Sequence, residues 1–168
     1  TGGHERESPP RERGVGERGV DGRVSSPPRS YMFAQELIVT DRPPAIMTRL
    51  ARMLAVNNVN TRAVILTSCQ DEKFVHLVTD NHEKAVKLCD DQGISYAESL
   101  ILALTVGDAP GGLAGILDIF EDEGAGIDYL YTSIAIPGDG AVVLIRPQDY
   151  TAAQRVVEAY GLRYLNRL

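Results

Sequence analysis

Tryptophan is absent from this chain, and phenylalanine occurs only three times. With seven tyrosines as the remaining aromatics, there is little surface on which nucleic-acid bases stack. Cysteine is nearly absent too. Cys69 and Cys89 form no C-x-x-C spacing and no disulfide framework, so a reducing, cytoplasmic compartment is expected. The three histidines, His4, His76 and His82, have no zinc-ligand spacing, and neither a metal nor a cofactor is expected. No apolar run approaches the roughly 18 residues of a spanning helix, which argues against a membrane partner. The charged N-terminus lacks the apolar stretch of a signal peptide. Positive charge is in deficit: 17 Lys and Arg face 23 Asp and Glu, for a net charge of −6. An acidic chain repels phosphate backbones, so nucleic acid is not expected as a partner.

What remains is an ordinary globular composition, 43% hydrophobic and 24% charged over 168 residues. Residues 1–31 stand apart. They contain two Pro-Pro pairs and interleaved Arg and Glu, and Val15, Val20 and Val24 are nearly their only apolar side chains. Such a stretch cannot bury enough surface to offset its ordering entropy, and it is expected to be a disordered extension. Met32 stands where patterned sequence begins, so the natural chain is expected to start there.

From residue 32 the pattern occurs twice. A shift of 66 places Pro44 on Pro110, Met47 on Leu113, Leu50 on Ile116, Leu54 on Phe120 and Asn58 on Gly124. A shift of 68 then places Ala85 on Ala153, Leu88 on Val156, Cys89 on Val157 and Gly93 on Gly161. The two extra residues fall between strands, where a longer loop costs little. The first unit, 32–98, reads as strand 36–40, helix 45–57, strands 59–66 and 74–79, helix 81–92 and strand 95–99. The second, 99–168, reads as strand 100–106, helix 112–123, strands 127–136 and 141–145, helix 151–160 and strand 163–165. Asn58, Gly93, Gly124 and Gly161 mark helix ends, and Pro137-Gly138-Asp139-Gly140 marks a turn. The order βαββαβ predicts an α+β fold of two tandem ferredoxin-like repeats, antiparallel sheets with helices on one face. The strand over 141–145 is apolar on both faces, so the face away from the helices is expected to be covered by the other repeat or a second chain. A homodimer is expected on the same grounds.

The segment Asp108-Ala109-Pro110-Gly111-Gly112-Leu113-Ala114 carries the most chemistry. Pro110 fixes the loop, and Gly111 and Gly112 lack a Cβ, so a ligand can come close to the backbone. A helix starts there, and its unsatisfied N–H groups suit a carboxylate. Asp108 beside them suits an ammonium group. A free α-amino acid carries both. Gly124-Ala125-Gly126-Ile127 follows at the start of the next strand. Together, D-x-P-G-x-L before the first helix and a Gly-Ile at the second strand resemble the signature of ACT domains. Their duplication over nearly all of 33–168 resembles tandem ACT proteins. That resemblance implies a regulatory protein that catalyses nothing, binds an amino acid at an interface between paired domains through this loop and Ile127, and acts on a separate protein.

The first repeat departs from the pattern, with Asp41-Arg42-Pro43-Pro44-Ala45 and no Gly at Ala45. The second has Gly126 where the family often has Asn, whereas the first keeps Asn60. A composite site is therefore expected from Gly111 and Gly112 of one repeat and Asn60 of the other. Two other readings stay open. One is a dimerisation module without a ligand. The other is an acylphosphatase-like enzyme using Arg42 and Asn60, for which the glycine-containing loop pattern is missing. Tyr129 and Tyr131 share a strand face, and His76 alternates with apolar neighbours; both are read as sheet packing. His82 is read as solvated, Cys89 as core, and Cys69 as an exposed thiol.

Overall fold

The computed structural model describes residues 32–40, 45–69, 72–134 and 141–168. Within them the order is β1 (Ala34–Val39), α1 (Ile46–Val56), β2 (Thr61–Cys69), β3 (Glu72–Thr79), α2 (His82–Asp91), β4 (Tyr96–Val106), α3 (Gly112–Asp122), β5 (Ile127–Thr132), β6 (Ala141–Pro147), α4 (Tyr150–Tyr160) and β7 (Tyr164–Leu165). The N-terminal extension, the loop at 41–44, the turn at 137–140 and the side chain of Cys69 lie outside what is described.

Local chemistry explains the helices. In α1, Ile46, Leu50 and Leu54 are buried at a spacing of four, one stripe of the helix. In α3 the stripe is Ile116 and Phe120, and in α4 it is Ala152, Ala153, Val156 and Val157. The Asn81 side chain accepts the Lys84 N–H at the start of α2, and Asp149 accepts those of Thr151 and Ala152 at the start of α4. Asn58 and Gly124, 66 positions apart, both turn left-handed just past a helix end.

Both βαββαβ units form, but they share a strand. The sequence suggested two short strands, at 95–99 and 100–106. The structure has one, β4, because residues 96–106 contain neither glycine nor proline to break it. Its first half pairs with β1, from Val39↔Tyr96 to Ala34↔Ile101. Its second half pairs with β6 and, on the edge that β1 uses, with β7 through Ala103↔Leu165 and Leu104↔Tyr164. The result is one seven-stranded antiparallel sheet in the order β2-β3-β1-β4-β6-β5, with β7 beside β4.

The sheet curls back on itself. An isolated bridge between Ala63 and Ser133, and a 2.7 Å bond from Ile134 N–H to the Arg62 carbonyl, bring the outer strands β2 and β5 together. Three apolar clusters result. Leu37, Val39, Val75 and Leu77 pack under α1 and α2. Leu102, Leu104, Val143 and Ile145 pack under α3 and α4. Ala34, Ala63, Val78, Ile101, Ala103, Tyr131, Val142 and Leu144 fill the inside of the curl. The two-sided apolar strand is thereby explained: Val142 and Leu144 face inward, and Val143 and Ile145 face the helices. The partner repeat covers the face that the sequence left open.

Candidate functional site

The loop after β4 is exposed at Gly107, Asp108, Ala109, Pro110 and Gly111. Gly111 is the N-cap of α3 with φ 92°, a left-handed conformation that disfavours a side chain. Ala45, its counterpart in the first repeat, takes φ 62° despite its Cβ. No side chain caps α3, so Asp108 is not spent on that task, and the first-turn N–H groups face the loop side. Gly112 is fixed by crowding: a Cβ there would lie 2.1 Å from the Gly107 carbonyl oxygen. The Gly112 N–H donates to the Ala109 carbonyl, which tightens the turn. Leu113, the first apolar residue of the helix, is 40% exposed beside the loop. The arrangement offers amide donors, one carboxylate and one apolar contact without a Cβ between them.

The structure does not gather all the expected site residues within one chain. Asp108, Ala109, Pro110, Gly111, Gly112 and Leu113 adjoin one another in this loop. Ile127 pairs with Pro147, whereas Val106, which leads into the loop, pairs with Ala141. Six residues of β6 separate those levels, roughly 20 Å at a strand's rise. Ile127 lines a different, mostly apolar cleft of about 390 Å³ with Leu117, Phe120 and Gly124. Asn60 lines a third, of about 540 Å³, with Ala51, Ala55 and Ile134, and its backbone exchanges bonds with Asp80. It stands next to the β5 edge, two strands away from β4. At Gly126 a Cβ would lie 2.2 Å from the Gln148 side-chain oxygen, so an Asn there would require the Gln148 side chain to swing aside.

One cluster went unread in the sequence. Glu36 is fully buried inside the curl. Tyr129 donates to its Oε2 at 2.5 Å, and Tyr131 donates to its Oε1 at 2.7 Å. His76 Nδ1 lies 3.6 Å from the same carboxylate, and its ring meets that of Tyr129 edge-on at 4.8 Å. Burial, followed by the hydrogen bond to Glu36, raises the Tyr129 pKa; burial and the Glu36 charge raise that of Tyr131. A carboxylate so enclosed is out of a substrate's reach. It ties β1 of the first repeat to β5 of the second. The signal was a single acid amid the apolar residues of β1, on the face of Ala34 and Ile38. Tyr129 and Tyr131 do face the sheet interior, but as donors to a buried acid. His82 is not solvated: its Nε2 meets Glu98 Oε2 at 2.7 Å. Cys89 is buried as expected, and burial pushes its thiol up to about 11. Among the described residues, no cluster of three or more His, Cys, Asp or Glu is placed to hold a metal, and no helix is long and apolar enough to cross a membrane.

A family model for the ACT domain pair matches residues 34–167. The chain belongs to this family. Its fold is similar to that of protein BT0572 from Bacteroides thetaiotaomicron, with a TM-score of 0.71 at 23% identity over 80% of this chain and 92% of that one. It is also similar to the ligand-free regulatory subunit of aspartate kinase from Thermus thermophilus, with a TM-score of 0.51 at 18% identity over 76% of this chain and 91% of that one. A comparison with curated protein sequences found no match. The ACT domain pair is a regulatory module, and the expected α+β architecture of tandem ferredoxin-like repeats is the one observed.

Proposed function

We propose that this ACT domain pair is a non-catalytic sensor of a free amino acid, bound at the loop running from Asp108 to Leu113. The observation that supports it is the uncapped start of α3 at a left-handed glycine, beside an exposed carboxylate. The ligand's carboxylate accepts from the first-turn N–H groups of Leu113 and Ala114, and its ammonium meets Asp108. Because Ile127 and Asn60 stand away from the loop in the same chain, the second wall comes from a partner copy. The protein therefore works as a homodimer, with the site between chains and the two units dividing near 98/99 inside β4. Exposed Leu113 fits such an interface. The readout is a separate regulated protein, in a cytoplasmic setting.

The test is a titration of the full chain with each of the twenty amino acids, followed by amide NMR. One or a few of them shift the amides of Gly111 to Ala114. Asp108→Asn, an exposed change that leaves the fold alone, weakens that binding about tenfold, in the range of a lost charged hydrogen bond. Gly112→Val abolishes it. Loop amides that stay unmoved by all twenty, in a folded dimer, favour the ligand-free dimerisation module instead.

A further inference from the structure

The two repeats place equivalent residues in the space between their first helix and the strand that follows it. In the second repeat Leu117, Phe120, Ile127 and Leu130 stand there, on α3 and β5. At the positions 66 residues earlier the first repeat has Ala51, Leu54, Thr61 and Val64. Each of the four is the smaller residue of its pair. Where they stand, between α1 and β2, the first repeat has an apolar pocket of about 190 Å³. Leu50, Leu54 and Leu77, all buried, form its floor. Ala51, Thr61 and Ile134 form its rim. The second repeat shows that the same backbone can fill this space with its own side chains, and an unfilled pocket forfeits their dispersion contacts.

Three features mark it as a site. The first is its size and lining: an apolar cavity of about 150 Å³ is enough to take up benzene, whereas water gains no hydrogen bonds from such walls. The second is its continuity with the outer cleft of about 540 Å³, because Ala51, Thr61 and Ile134 line both. Asn58 and Asn60 also line that cleft, and it is the backbone of Asn60, not its side chain, that Asp80 holds. The outer cleft thus offers amide and hydroxyl groups, which both donate and accept. The third is charge: among the described residues that line the two clefts, none is ionisable. A carboxylate or ammonium entering there loses water and meets no counter-charge, so the lining favours a neutral ligand.

We propose that the pocket and the outer cleft form one site for a small neutral amphiphile. Its compact, branched hydrocarbon group lies under α1, in the place that Leu117 and Phe120 take in the second repeat. Its hydrogen-bonding head lies beside Thr61 and Asn60. Burial of the hydrocarbon supplies the affinity, and the neutral polar groups at the mouth fix the orientation. The site is complete within one chain, takes a different class of ligand from the loop at Asp108, and does not rest on the loop reading.

The experiment is methyl NMR of the chain, labelled at Leu and Val, with isovaleramide as the probe. Isovaleramide moves the methyls of Leu50, Leu54, Val64 and Leu77 saturably, and acetamide, which has the head without the branched group, does not. Isovalerate, the same hydrocarbon with a charged head, binds about tenfold more weakly. Ala51→Leu, at an exposed position of α1, and Leu54→Phe install the second repeat's side chains. Each weakens isovaleramide binding by about tenfold, because it fills the pocket from within. Thr61→Val, close to isosteric, weakens it about threefold. Gly112→Val leaves it unchanged, which separates this site from the loop. The proposal is overturned if isovaleramide moves none of these methyls, if isovalerate binds equally well, or if Ala51→Leu and Leu54→Phe leave the affinity unchanged. Methyl shifts that follow protein concentration instead of isovaleramide would assign the pocket to a second copy of the chain and overturn it as well.

Discussion

Glu36 is the residue on which the joining of the repeats turns. Its carboxylate is fully buried, and two tyrosine hydroxyls from β5 offset its loss of water. Removing it leaves those hydroxyls in the interior without their acceptor and takes away the carboxylate 3.6 Å from His76 Nδ1. Glu36→Ala should therefore lower stability by about 2–5 kcal/mol, with Glu36→Gln intermediate because it retains one carbonyl acceptor; denaturant titration measures both. The tyrosines add a pH signature. Below their ordinary pKa of 10.0 both are protonated in the folded and unfolded chains, so they contribute no slope. Above it, the unfolded chain releases protons that the folded chain keeps, so stability falls as pH rises. Replacing Tyr131 with Phe should flatten that fall above pH 10 in alkaline melts. None of this was legible in the sequence, where Glu36 is one acid in a strand and its partners lie more than 90 positions away. Cys89 was legible, because the repeat aligned it with an apolar Val157.

Elements were easier to read than contacts. The 3.6-residue stripes of α1 and α3 and the helix stops at Asn58, Gly93, Gly124 and Gly161 place every helix to within a residue or two. Junctions were harder. Nothing in residues 96–106 says that one strand serves two units, because continuity shows only as the lack of a turn. Caps make the clearest prediction at this scale. Asp149 holds two N–H groups of α4, at 2.7 and 3.1 Å, so Asp149→Ala should cost about 1 kcal/mol in a thermal or denaturant melt. Phe120 on α3 fills the core under β4 and β6, and Phe120→Ala should cost about 3–5 kcal/mol.

The whole molecule is bound by three shared features: one strand common to both units, an inner core drawn from both, and a bridge that closes β2 onto β5. Neither unit buries its inner sheet face alone. Far-ultraviolet circular dichroism and tyrosine fluorescence should therefore report a single coincident unfolding transition; two separated transitions would mean independent units. The duplicated pattern made the fold legible, and the Pro-Gly-Gly loop made the candidate site legible. The separation of Asn60 and Ile127 from that loop was not, because it depends on how the sheet curls. The central claim is that the loop from Asp108 to Leu113 receives a free amino acid. The most direct measurement is the amide NMR titration of this chain against the twenty amino acids, run beside Asp108→Asn. A selective shift at Gly111 to Ala114 that weakens about tenfold in the variant is the expected result. Unmoved loop amides, or equal affinity in both proteins, would contradict it.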